Sequence, residues 1–270
     1  MNTKRRKRTL LIHFILATWT AGLLACSHRE HSQNEQTGEA HPIVIATAAN
    51  MQFAMQELTG QFTKSTGIDC EVVISSSGKL TAQIKEGAPY DVFVSANRKY
   101  PDELYKSGLA REPTKIYAYG KLVLWSMFKE ITPSVESLSS EMIEHIALAN
   151  PKTAPYGVAA IEVLKHYQLS DKLEGKLVYG ESIAQTNQFI ISKSAELGFT
   201  AMSVVLSPDM QGKGHWVALE EGIYTPIEQG VVVIQREKAV DTAQAQKFYE
   251  FLFSKEARQI LESFGYSVDE

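Results

Sequence analysis

Four short clusters of small and polar residues hold the chemistry this chain can offer. They are Thr47 to Asn50, Ser75-Ser76-Ser77-Gly78, Asn150 to Gly157, and Glu181-Ser182-Ile183. The first two lie in IVIATAANMQFAMQEL and CEVVISSSGKLTAQI, where an apolar run breaks into small residues and a helix-like pattern follows at once. A helix N-terminus presents main-chain N–H groups without intrahelical partners and a partial positive charge. Small side chains let an anion approach that backbone closely. A tetrahedral oxyanion with four acceptor oxygens suits such a set, because hydroxyl, amide and N–H donors saturate a dianion without any cation. Donors with no spare acceptor penalise a protonated oxyanion such as hydrogenphosphate. Taken singly, each piece has a plainer role: Asn50 as a helix cap, Ser75 to Ser77 as a capped turn, Tyr156 as a loop residue with a half-buried ring, Ser182 as a cap. The functional reading rests on four such clusters at corresponding strand ends.

The elements that position them follow from periodicity. Ile43–Ala46, Val72–Ile74, Asp91–Ser95, Leu122–Trp125, Ile146–Ala149, Leu177–Tyr179, Gly198–Met202 and Val231–Gln235 read as strands. Helical patterns cover Phe53–Thr66, Leu80–Glu86, Pro101–Ser107, Ala159–Tyr167, Ile183–Lys193 and Thr242–Ser263. This alternation predicts an α/β protein whose mainly parallel sheets are flanked by helices. Ligands then bind at the carboxyl ends of the strands, where the clusters fall. From Pro42 onward there are about 230 residues, enough for one large or two small domains.

The chain begins with Lys4-Arg5-Arg6-Lys7-Arg8 and a mostly apolar run to Ala21, the pattern of a secretory leader. The apolar run is too short for a good membrane span. Leu23-Leu24-Ala25-Cys26 resembles a bacterial lipobox, which implies cleavage after residue 25 and lipid on Cys26. Residues 26–41 are polar and aperiodic, as a tether is. His28, His31 and His41 in it match no recognised metal-site spacing. With the leader gone, 22 Lys and Arg face 31 Asp and Glu, a net charge of −9. An acidic surface argues against nucleic acid as a partner. It also leaves anion binding to local dipoles and geometry. A lipidated Cys26 leaves Cys70 alone, with a small apolar role at the start of a strand. Catalysis finds little support. SSSGKL lacks the leading glycine of a phosphate-binding loop, and Leu80 stands where Ser or Thr must bind magnesium. There is no G-x-S-x-G or H-E-x-x-H, and His145, His166 and His215 are scattered.

ATAANM, SSSGKLTAQI, EGAPYDVFVSAN, YGKLVLWS, ANPKTAPYG and ELGFTAMS together resemble the substrate-binding proteins of molybdate ABC importers, over nearly all of residues 42–270. The resemblance implies a two-lobed periplasmic-binding-protein fold with two hinge crossovers, near Gly120 and Pro226. Lobe I would comprise residues 42–120 and 227–270, and lobe II residues 121–226. Asn50 and Ser77 would donate to molybdate from the first lobe, beside the main chain of Ala49. Tyr156 and Ile183 would donate from the second through backbone N–H groups. No residue ligates the metal directly, and no cofactor or enzymatic activity is implied. The expected partners are molybdate or tungstate, a membrane permease and the membrane holding the lipid; the receptor is expected to be an extracytoplasmic monomer, lipid-anchored to a cell-envelope membrane in the periplasm or on the outer face of the cytoplasmic membrane. Many family members carry Ser where Asn50 stands and a Tyr donor where Ala201 stands, so the Asn50 amide is a candidate to replace that donor. Sulfate, phosphate or phosphonate is the alternative ligand class; ferric ion would demand several converging Tyr or His donors.

Overall fold

The computed structural model describes residues 41–236 and 242–269; the leader, Cys26 and the tether as far as residue 40 lie outside them. Ten strands and nine α-helices are described. In chain order they are β1 (Ile43–Ala48), α1 (Gln52–Thr66), β2 (Cys70–Ser75), α2 (Ser77–Lys85), β3 (Val92–Val94), α3 (Lys99–Lys106), β4 (Lys115–Gly120), β5 (Leu122–Ser126), β6 (Ile146–Ala149), α4 (Pro155–His166), α5 (Ser170–Leu173), β7 (Leu177–Gly180), α6 (Ile183–Ile191), β8 (Leu197–Ala201), α7 (Met202–Val205), β9 (His215–Ala218), β10 (Ile227–Val233), α8 (Thr242–Phe251) and α9 (Lys255–Ser263).

The strands form two five-stranded sheets, in the orders β2-β1-β3-β10-β4 and β7-β6-β8-β5-β9. Four strands of each sheet run the same way and one is reversed, β10 in the first and β5 in the second. In each sheet the reversed strand is the one that arrives from the other sheet. The chain leaves the first sheet between Gly120 and Leu122 and returns between Ala218 and Ile227. The sheets are therefore mixed, with four parallel and four antiparallel pairings, and the parallel ones come from the strand–helix–strand units that the periodicity predicted.

Each sheet is covered on both faces, and the first shows why. Side chains alternate along a strand. Ile43, Ile45, Val92, Val94, Val231 and Val233 pack with Met55, Leu58 and Phe62 of α1 and Phe248 and Leu261 of the C-terminal helices. Ala46, Phe93 and Val232 pack on the other side with Leu80, Ile84 and Leu104 of α2 and α3. The second sheet shares one continuous core with α4 and α6, through Leu124, Trp125, Leu148, Val163, Ile190 and Phe199. Helix α1 stops at Gly67, whose φ of 73° returns its N–H to Thr63 O at 2.8 Å, a left-handed end that glycine adopts without penalty.

Local boundaries depart from the sequence reading where tertiary pairing decides. Strands β4 and β9 were not anticipated. Strand β4 borders the first sheet beside β10, and all four residues of β9 are exposed, so neither carries the strong apolar run of a central strand. The single helix expected over 242–263 breaks before Ser254, whose Oγ accepts the Ala257 N–H at 3.1 Å and starts α9. Among the described residues no helix is long and apolar enough to cross a membrane.

Candidate functional site

The two sheets meet across a small cavity at the carboxyl ends of β1, β2 and β6. Ala48, Ala49, Asn50, Ser76, Ser77 and Ala96 line it from the first sheet's side; Ala154, Pro155, Tyr156 and Ile183 line it from the second. All five site residues expected from the sequence (Ala49, Asn50, Ser77, Tyr156 and Ile183) lie on its wall. The cavity measures about 10 Å³, on the order of one water-sized sphere, so a solute of more than a few atoms enters only when the lobes part. No Asp, Glu, Lys, Arg or His lines it, and no cluster of three or more His, Cys, Asp or Glu occurs among the described residues.

Each wall residue owes its place to a strand end. Ala49 and Asn50 form a short 3-10 turn between β1 and α1, with no side-chain cap. Ser77 is the first residue of α2 and is fully buried. Its Oγ accepts the Ala96 N–H at 3.0 Å, so its own hydrogen remains to be donated. Pro155 opens α4, which makes Tyr156 the first residue of that helix with an N–H to offer, and first-turn N–H groups have no intrahelical acceptor. Ile183 opens α6 behind Ser182, whose Oγ accepts the Gln185 N–H at 3.5 Å. Ser182 is thus the cap that the plain reading anticipated. Asn50 and Ser76 are not caps by side chain, and Tyr156 is a buried helix residue rather than a half-buried loop residue.

Asn50 departs from the expectation in its side chain. Nδ2 lies 2.9 Å from Gln229 Oε1 and 2.9 Å from the Tyr266 hydroxyl, which engages both amide hydrogens. The main-chain carbonyl oxygen of Asn50 accepts from Ser203 Oγ at 2.7 Å and from Tyr266 at 3.1 Å. The carboxamide therefore braces the turn from behind and is spoken for as a replacement donor. Ala201, at the end of β8, is fully buried and offers no side-chain donor.

The surrounding phenols are held neutral. Burial pushes Tyr117, Tyr156 and Tyr266 well above the usual tyrosine range. The Tyr156 hydroxyl lies against Gly120 at the first crossover and makes no hydrogen bond of acceptable geometry. Cys70 is half-buried, and burial raises its thiol to about 11, which leaves it unreactive near neutral pH.

Contacts around the rim show the lobes shut. The Gly78 N–H donates to Thr153 O at 2.8 Å, Tyr100 donates to Lys152 O at 3.3 Å, and Lys79 pairs with Glu181. Both partners of that ion pair are substantially exposed, so it contributes little. Asn150 sits below the rim, its Oδ1 accepting the Lys152 N–H at 3.0 Å. Sequence reasoning missed Ala96, Gln229, Ser203 and Tyr266. They lie far along the chain from the clusters they support, and none carries a local signal.

A body of two lobes that closes on a neutral, donor-lined cavity has the architecture of a solute receptor. Residues 43–267 match the family described as bacterial extracellular solute-binding protein. The chain is 35% identical over 250 residues to the molybdate-binding protein ModA of Azotobacter vinelandii, covering 92% of this chain and 94% of that one. It is also 35% identical over 231 residues to the ModA of Rhodobacter capsulatus, covering 85% and 90%. The solved Azotobacter vinelandii periplasmic molybdate-binding protein superposes with a TM-score of 0.80 at 34% identity, over 84% of this chain and all of that one. The chain belongs to the bacterial extracellular solute-binding proteins, in the family of the molybdate-binding ModA proteins.

Proposed function

We propose that this protein captures molybdate, and tungstate with it, between its two lobes outside the cytoplasmic membrane and delivers it to the permease of an ABC importer. The observation that carries the reading is the neutral cavity between helix N-termini, lined by Ala49, Asn50, Ser77, Tyr156 and Ile183 and free of charged side chains. Main-chain N–H groups and the Ser77 hydroxyl are its donors; Asn50 contributes its main chain. Opening and closing occur about the two crossovers, with lobe I as residues 42–120 and 227–270 and lobe II as residues 121–226. The anion bridges both lobes and shifts the population to the closed form, since only that form supplies all donors. Binding is the whole of the chemistry.

The protein acts as a monomer, and lipid on Cys26 holds it to the membrane surface through the tether. Labelling cells with radioactive palmitate tests the anchor: label on the wild-type protein and none on the Cys26→Ala variant is expected, and a wild-type protein that takes up no label would disprove lipid anchoring there. Titration calorimetry with molybdate, tungstate, sulfate and phosphate tests the ligand. One-to-one binding of the first two alone is expected. Binding of sulfate or phosphate in their place would keep the receptor and discard molybdate.

A further inference from the structure

We infer that Ser76 is a further donor to the bound oxyanion, which deepens the proposed reading of this cavity and rests on it. Ser76 lines the cavity and is 3% exposed, and its Oγ has no hydrogen-bond partner. A buried hydroxyl left unpaired is costly, and such a group in a native protein calls for a partner. Ser76 stands at the N-cap of α2, where serine ordinarily accepts an N–H from the second or third helical residue. It makes no such bond. The second residue is Gly78, and its N–H is committed across the cleft to Thr153 O at 2.8 Å. Closure therefore occupies one of the two main-chain donors open to a capping serine, and Ser76 accepts from neither, so its hydroxyl stays on the cavity wall. The neighbouring Ser77 differs, since its Oγ already accepts the Ala96 N–H.

Donor arithmetic points the same way. The Asn50 amide hydrogens are engaged by Gln229 and Tyr266, and Ala201 brings no hydroxyl. Two adjacent hydroxyls, Ser76 and Ser77, are then the side-chain donors on the first lobe's wall. A hydroxyl rotates freely to meet an acceptor, so Ser76 serves a fully deprotonated tetrahedral oxyanion such as molybdate.

The test is calorimetric titration of the full chain with sodium molybdate, comparing wild type with Ser76→Ala and Ser76→Gly. Glycine is well tolerated at an N-cap, so the second variant removes the hydroxyl while keeping the start of α2. Ser75→Ala, at the end of β2 and off the cavity wall, is the control. Loss of a bond to a charged acceptor predicts affinity weaker by about tenfold or more in both Ser76 variants, with the control unchanged. Affinity within about twofold of wild type in Ser76→Gly is too small for a lost bond of that kind and would overturn the assignment while leaving the molybdate receptor standing. Wild-type protein that binds none of molybdate, tungstate, sulfate and phosphate would overturn both.

Discussion

Asn50 Nδ2 stands 2.9 Å from Gln229 Oε1, joining two residues 179 positions apart. Asn50 sits on the turn that ends β1, and Gln229 sits on β10, the strand that returns from the second lobe. The turn on the cavity wall is thereby tied to the strand entering the hinge, and Tyr266 locks the pair from the C-terminal segment. Replacing Gln229 with Ala leaves one amide hydrogen of Asn50 buried and unpaired. The expected loss of stability is about 1–3 kcal/mol, read from urea denaturation, together with weaker molybdate binding because the Ala49–Asn50 turn loses its brace. Unchanged stability would show that Gln229 does not fix the turn.

Ser77→Ala is expected to act twice. It removes a hydroxyl donor to a charged ligand, worth about 1.5–3 kcal/mol, or about tenfold to a hundredfold in affinity. It also strands the buried Ala96 N–H, so the free protein loses stability. Calorimetry and thermal unfolding on the same sample separate the effects; unaltered affinity would remove Ser77 from the site.

Gly78→Ala separates folding from closure. A Cβ there would meet the Tyr100 hydroxyl at 2.8 Å, the free end of a half-buried side chain of its own lobe that can swing aside, and Thr153 Cα at 2.9 Å and Thr153 O at 3.0 Å, main-chain atoms of the opposite lobe that cannot. Gly78 is helical, and alanine is favoured over glycine in helices by up to about 1 kcal/mol. The open form is then as stable as before or more so, while the closed form is obstructed. Molybdate affinity is expected to fall with no drop in the unfolding midpoint of the free protein. A variant that binds normally would show that the rim contact yields without cost.

Alkaline stability follows from groups kept neutral by burial. The folded pKa of Cys70 is raised from 9.0 to about 11, and those of Tyr117, Tyr156 and Tyr266 are raised above 10.0. In the unfolded chain these groups lose their protons first. Below about pH 9 both states hold the protons and stability is unaffected by them. Above it the unfolded state binds fewer protons, so stability declines, with Cys70 contributing between 9 and 11 and the tyrosines from 10 upward. Denaturation midpoints from pH 7 to 11 are expected to stay level and then fall. A level profile through pH 11 would contradict the burial of these phenols.

Much of the cavity wall was legible before any tertiary structure. The runs Ile43–Ala46 and Val72–Ile74, each broken by small residues and followed by a helical pattern, announced two small-residue turns at strand ends, and both lie on the cavity wall. The cluster Asn150 to Gly157 and Ser182 ahead of α6 marked the second pair, although the helix expected from Ala159 in fact begins at Pro155. These are local signals: the backbone of a few successive residues decides where a helix begins and which N–H groups it leaves free.

What the sequence by itself determined is the strand–turn–helix unit, its small-residue mouth and the order in which the units recur. Only the tertiary structure decided that four mouths share one cavity, that the Asn50 amide is spent on Gln229 and Tyr266, and that the Gly78 N–H crosses to Thr153 and leaves Ser76 unpaired. The reason is distance along the chain. Local dihedral preferences act over a few residues, whereas a hydroxyl or amide chooses its partner from whatever the packed sheets bring within about 3 Å, and those partners carry no mark in the sequence around them.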